Sequence, residues 1–84
     1  TATWSAPCKM YLPVLEALSE QYIETDCRFG KVDVDEEEKL SSSLAIRSVP
    51  TTLIIKNYSI LERIVGYVGM YTLKSHIDPY IQLL

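Results

Sequence analysis

At 84 residues, 48% of them hydrophobic and 23% charged, the chain suffices for one small globular domain and is too short for two. Its formal charge is −3, and Lys9, Arg28, Lys31, Lys39, Arg47, Lys56, Arg63 and Lys74 are scattered, so nothing electrostatic points to nucleic acid or an anionic membrane as partner. No apolar run approaches the roughly 18 residues that span a bilayer, and the first residues lack the basic start and hydrophobic stretch of a signal peptide; a soluble chain is expected.

The first predicted element is a long helix from Pro7 to about Glu24, with Leu12, Leu15, Leu18 and Tyr22 at three- and four-residue spacing and Glu16, Ser19, Glu20 and Glu24 between them. Pro13 removes one backbone donor inside it and predicts a kink. Phe29 to Val34 alternates and is rich in β-branched residues, which predicts a strand. Asp35 is expected to end that strand and cap a helix over Glu36 to Leu44, whose first turn carries three glutamates where the helix dipole favours negative charge. After Pro50, Thr51 to Lys56 reads as a second strand and Ile60 to Val65 as a third. The intervening Asn57-Tyr58-Ser59 is too short for a crossover, so these two pair antiparallel. Gly66 and Gly69 bracket a loop, and a last helix starts near Met70 with Leu73 and Ile77 inward, kinked or ended by Pro79. The order α-β-α-β-β-α, without repeats or linkers, predicts an α/β sandwich rather than a bundle or a barrel.

Trp4-Ser5-Ala6-Pro7-Cys8-Lys9 has the shape of a two-cysteine redox site with serine in the first position. In a Cys-x-x-Cys pair one thiolate attacks a partner's disulfide and the second thiol resolves the mixed intermediate. Ser5 cannot attack in this way: its hydroxyl has no accessible anion without a strong base, and oxygen cannot form the sulfur–sulfur bond. Cys8 would feel opposed effects, a helix dipole lowering its pKa and burial raising it. Cys27 lies at the far end of a helix about 27 Å long, so it cannot bridge to Cys8 and is read as a structural thiol. Two cysteines form no disulfide framework, which suits a reducing compartment such as the cytoplasm, with an organellar or exported location if a leader precedes the chain.

Other candidate signals read as bland. His76 has no second histidine and completes no zinc set with the distant cysteines, and Asp33 to Glu38 lacks the glycine and final acid of a calcium loop, so no metal is expected. Asn57-Tyr58-Ser59 fits a glycosylation sequon of the kind common by chance.

Trp4 to Lys9, Lys31-Val32-Asp33-Val34-Asp35, Ile46-Arg47-Ser48-Val49-Pro50-Thr51 and Ile64-Val65-Gly66 stand in the order and spacing by which the chain resembles the thioredoxin family over nearly its whole length. The resemblance implies a three-layer thioredoxin-like sandwich with a cis peptide before Pro50, lying beside the Ser5 and Cys8 positions. It implies that Ser5 holds the place of the nucleophilic cysteine and Cys8 that of the resolving one. Trp4, Val49, Pro50, Thr51, Gly66 and Tyr67 would line a shallow groove, with the Val49 backbone pairing with an extended client segment. The implied partners are disulfide-containing or thiol client proteins and a thioredoxin reductase, and no cofactor is implied. Lys31 matches a lysine that influences the redox site, although without a carboxylate partner it reads as a surface charge. Family members carry a strand, a helix and a central strand before the matching Trp4, so residues 1–84 are expected to form a single domain, N-terminally truncated and lacking these three. Three arrangements are open: a longer protein of which this is a piece, remaining strands that close the gap and pair directly, or a strand donated by another chain. An open gap would favour self-association through its strand edges. Tyr58 stands where the family has glycine, which predicts a longer or altered turn. The alternative to a disulfide reductase lacking its attacking cysteine is a redox-silent thioredoxin-like binding module.

Overall fold

The computed structural model describes residues 1–81, in the order α1 (Ala6–Glu20), α2 (Glu38–Ser43), β1 (Thr51–Lys56), β2 (Ser59–Val65), α3 (Met70–Ile77) and a short 3-10 turn (Asp78–Tyr80). Ser5 is the N-cap of α1 and Pro7 lies in its first turn, where the missing N–H has no intrahelical partner to lose. The helix runs through Pro13 but stops at Glu20, short of the expected Glu24. Beyond it the backbone tightens into turns, with Tyr22 N–H donating to Ser19 O at 3.1 Å and Thr25 N–H to Tyr22 O at 3.0 Å.

Phe29 to Val34, expected as a strand, is extended but joins no sheet. A strand exists only through hydrogen bonds to a neighbour, and the described partner here is a single residue. Thr1 N donates to Val32 O at 2.9 Å, and Thr1 O accepts from Val34 N–H at 2.8 Å, the pattern of one rung of a parallel ladder. The sheet contains β1 and β2 alone among the described residues, so 29–34 and β1 do not close up and pair directly.

α2 is shorter than Glu36 to Leu44, and Asp35 does not cap it. Its N-cap is Glu37, without a side-chain bond. Asp33 turns the chain instead, its Oδ1 accepting the N–H groups of Asp35 at 2.8 Å and Glu36 at 3.1 Å. The helix ends in a Schellman arrangement, Ile46 N–H to Ser41 O and Ala45 N–H to Ser42 O, both 3.0 Å, which puts Ala45 at φ 57°. Arg63 adds a bond from Nη2 to the Leu44 carbonyl at 2.7 Å.

β1 and β2 pair antiparallel from Thr51↔Val65 to Lys56↔Ser59, with Leu61 as the extra residue of a bulge between the Ile54↔Glu62 and Ile55↔Ile60 pairs. The turn is not lengthened: Asn57 and Tyr58, at φ 50° and 65°, make a two-residue loop in which both central residues have the positive φ of a type I′ turn. Strand alternation sends Thr52, Ile54, Glu62 and Ile64 toward α1 and α3, and Arg63 to the opposite face, where it meets the end of α2. Helices thus flank both faces of the hairpin. The core is Tyr11, Leu18, Tyr22, Ile64, Leu73 and Ile77, with Val14, Leu15, Ile54 and Val68 among its flanks. Leu73 and Ile77 are inward as expected, and α3 ends before Pro79. Leu12 is half-buried outside this cluster, and Tyr11 takes the inner place one residue earlier.

Two side chains occupy left-handed backbone without a compensating contact in the turn. Tyr58→Gly at the fully exposed tip and Ala45→Gly at the α2 terminus are each expected to raise stability by about 1 kcal/mol, measured as a higher denaturation midpoint at unchanged m-value.

Candidate functional site

Ser5 adopts extended backbone (φ −93°, ψ 117°) and its Oγ accepts the Cys8 N–H at 3.3 Å, occupying one of the donors left free at a helix start. Its own N–H donates to Ala2 O at 3.2 Å. Both side chains are enclosed, Ser5 at 5% and Cys8 at 1% exposure, so the first turn of α1 buries the hydroxyl and the thiol together. Burial pushes the Cys8 thiol up, but hydrogen bonds from the Ser5 side chain, the Ala2 backbone and the Thr1 side chain, with a pull from the amino terminus, bring it below the ordinary thiol value. Cys27 goes the other way, raised by burial and then by Asp26. Both cysteines are free thiols.

The loop before β1 supplies the second part. The Val49–Pro50 peptide is cis, Pro50 is buried, and its carbonyl accepts the Gly66 N–H at 2.8 Å. Gly66 sits at φ 91°, a conformation that L side chains rarely adopt, so the bond to Pro50 is available to glycine at little cost. Thr51 Oγ1 donates to Ser48 O at 2.7 Å and holds the turn ahead of the strand. Trp4 and Val49 line one shallow depression together with Val34, Ile46, Arg47 and Ser48. Trp4 is 69% exposed, and its Nε1–H donates to Asp35 Oδ2 at 2.9 Å.

Tyr11 ties these parts together. Its ring meets that of Tyr67 edge-on, centroids 5.4 Å apart at 63°, and its hydroxyl lies 3.0 Å from Thr52 Oγ1. The structure therefore joins Ser5 to Cys8, Pro50 to Gly66 and Trp4 to Val49, with Tyr67 half-exposed beside them. Lys31 is exposed. His76 is half-buried, its Nδ1 2.7 Å from Glu62 Oε1, and Glu62 is held below the usual carboxylate range by hydrogen bonds from His76 and Tyr80. Among the described residues no group of three or more His, Cys, Asp or Glu side chains is placed to hold a metal ion.

Sequence reading missed two residues here. Asp35 was expected at a helix cap and instead binds the Trp4 indole 31 residues away, a pairing no local pattern signals. Tyr11 is one residue off the expected apolar stripe, and its polar handle finds a partner only once β1 is folded.

The structure thus combines a buried hydroxyl and thiol three residues apart at a helix N-terminus with a cis-proline loop and an exposed tryptophan. Comparison with known proteins gives the family. The Thioredoxin family profile matches residues 1–79. Over 80 residues the chain is 39% identical to thioredoxin of Listeria monocytogenes, covering 95% of this chain and 77% of the relative. It is 34% identical to thioredoxin of the red alga Porphyra purpurea, covering 95% and 74%. A crystal structure of a Nicotiana alata thioredoxin superposes with TM-score 0.89 at 35% identity, over 98% of this chain and 69% of that one. A mutant thioredoxin from Halobacterium salinarum gives 0.88 at 38%, over 100% and 72%. The chain belongs to the thioredoxin family, redox proteins that act on the thiols and disulfides of client proteins.

Replacing the cap tests the first turn directly. Ser5→Ala is expected to cost about 1 kcal/mol of stability. It also removes the bond that lowers the thiol, so thiolate absorbance of Cys8, read in a Cys27→Ser background, should titrate at higher pH than with Ser5 present.

Proposed function

We propose that this chain is a thioredoxin-family disulfide reductase in which Ser5 stands in the place of the attacking cysteine, so that client binding is retained and exchange is blocked at its first step. The observation that carries the reading is the 3.3 Å bond from Cys8 N–H to Ser5 Oγ: a sulfur in place of that oxygen would lie beside the Cys8 thiol.

A thiolate at position 5 attacks one sulfur of a client disulfide, forming a mixed disulfide and releasing the other client sulfur as a thiolate that takes a proton. The Cys8 thiolate then attacks the position-5 sulfur, releasing the second client thiol and leaving an intramolecular disulfide. Two electrons pass to the client. With Ser5 the first bond cannot form, and Cys8, enclosed at 1% exposure, is not placed to replace it.

Trp4, Val49, Pro50, Thr51 and Gly66 hold the client segment. Clients are proteins with disulfides or reactive thiols, a thioredoxin reductase regenerates the cysteine form, and the reducing cytoplasm is the compartment that suits it. No described helix is long and apolar enough to cross a membrane.

Ser5→Cys tests this reading through reduction of insulin disulfides with a dithiol donor. The substitution should create activity absent from the serine form, and no gain would refute the proposal. The intact groove also supports a second reading, a redox-silent binding module. Under it, client association persists in reductant with Ser5 in place and disappears on Val49→Asp.

A further inference from the structure

We infer that Glu62, His76 and Tyr80 form a proton-sensitive latch that ties the C-terminal end of α3, and the 3-10 turn after it, to β2. The three side chains come from three separate elements. His76 Nδ1 lies 2.7 Å from Glu62 Oε1, both side chains being half-buried, and the Tyr80 hydroxyl bonds to the same carboxyl group. With only eight residues and no side-chain bond at its N-cap Gly69, α3 is a helix that depends on tertiary contacts.

The bulge at Leu61 brings the carboxylate to this face. Unbroken alternation from the Ile55↔Ile60 pair would set Glu62 opposite Leu53, on the side of the hairpin turned to α2. The extra residue flips it to the side of Ile54 and Ile64, against α3. His76 from α3 and Tyr80 from the turn are the titratable groups that face it among the described residues. Ile54 opposite it on β1 is apolar, and Arg63 lies on the other face at the Leu44 carbonyl. Lys74 and Asp78 pair with each other at 3.5 Å and meet Tyr22, from the turn after α1, instead.

A neutral imidazole with hydrogen on Nδ1 and an imidazolium both donate to a carboxylate, so the latch opens when Glu62, not His76, changes charge. Bonds from His76 and then Tyr80 hold Glu62 below the usual carboxylate range. Its contribution is therefore complete above that range and is lost as pH falls through the value in the folded protein.

Amide hydrogen exchange of α3, compared between the unaltered chain and Glu62→Gln, a neutral mimic of the protonated acid, tests the latch. At neutral pH the amides of Leu73 to Ile77 should exchange about threefold faster in Glu62→Gln, and the ratio should fall to about one below the Glu62 midpoint. Amides of β1 should exchange alike in both proteins. Carboxyl carbon NMR locates that midpoint in the unaltered chain, and His76→Phe should raise it. Equal α3 exchange at neutral pH, a ratio that persists in acid, acceleration spread equally over β1, or a midpoint unmoved by His76→Phe would overturn the inference. Should Glu62→Gln not fold, the midpoints of the unaltered chain and His76→Phe still decide it.

Discussion

Tyr11 lies three residues beyond Cys8 on α1, with its ring edge against Tyr67 and its hydroxyl 3.0 Å from Thr52 Oγ1. Those two contacts reach the residue after Gly66 and the second residue after Pro50, so one side chain registers the helix that carries Cys8 against both loops of the site. The phenol is buried at 2% exposure, and that burial pushes its pKa up, so it stays neutral and able to donate or accept. In the buried core a tyrosine with a satisfied hydroxyl fixes position more tightly than an aliphatic chain, because the hydrogen bond has a direction and dispersion does not. The C-terminal half of α1 is held by Leu18, and the turn just past its end by Tyr22, which donates to Asp78 Oδ1 at 2.6 Å just beyond α3.

On this frame the first turn of α1 performs two tasks with one residue type. Serine is a strong N-cap, and its oxygen both takes the Cys8 N–H and lowers the Cys8 thiol. What it lacks is polarizable sulfur able to make and break a bond to another sulfur. Serine at position 5 thus secures the helix start, and under the proposed function it is the attacking atom alone that is missing.

Much of this was legible in the sequence because it is local. Pro7 and Ser5 mark a helix start, the brief connection at Asn57 forces an antiparallel hairpin, and Leu73 and Ile77 show the inner face of α3. Two kinds of feature were not legible. Phe29 to Val34 has the composition of a strand, but strand formation depends on a hydrogen-bonding neighbour, and among the described residues Thr1 provides it. Asp35, Tyr11 and Tyr58 were misjudged because their roles rest on partners distant in sequence or on backbone φ. Tyr58 accepts a left-handed conformation that composition assigns to glycine, because a two-residue hairpin between Lys56 and Ser59 demands it. The positions singled out by resemblance lie at the ends of predictable elements, whereas the tie between Trp4 and Asp35 has no local signal.

The central claim is geometric: the Ser5 side chain points where a sulfur would pair with Cys8. Intact mass of the Ser5→Cys protein, equilibrated with oxidised glutathione and then alkylated, measures this most directly. The account predicts one alkylated thiol, at Cys27, and a disulfide linking position 5 to Cys8 within a monomer. Three alkylated thiols, a stable glutathione adduct at position 5, or a disulfide-linked dimer would contradict it.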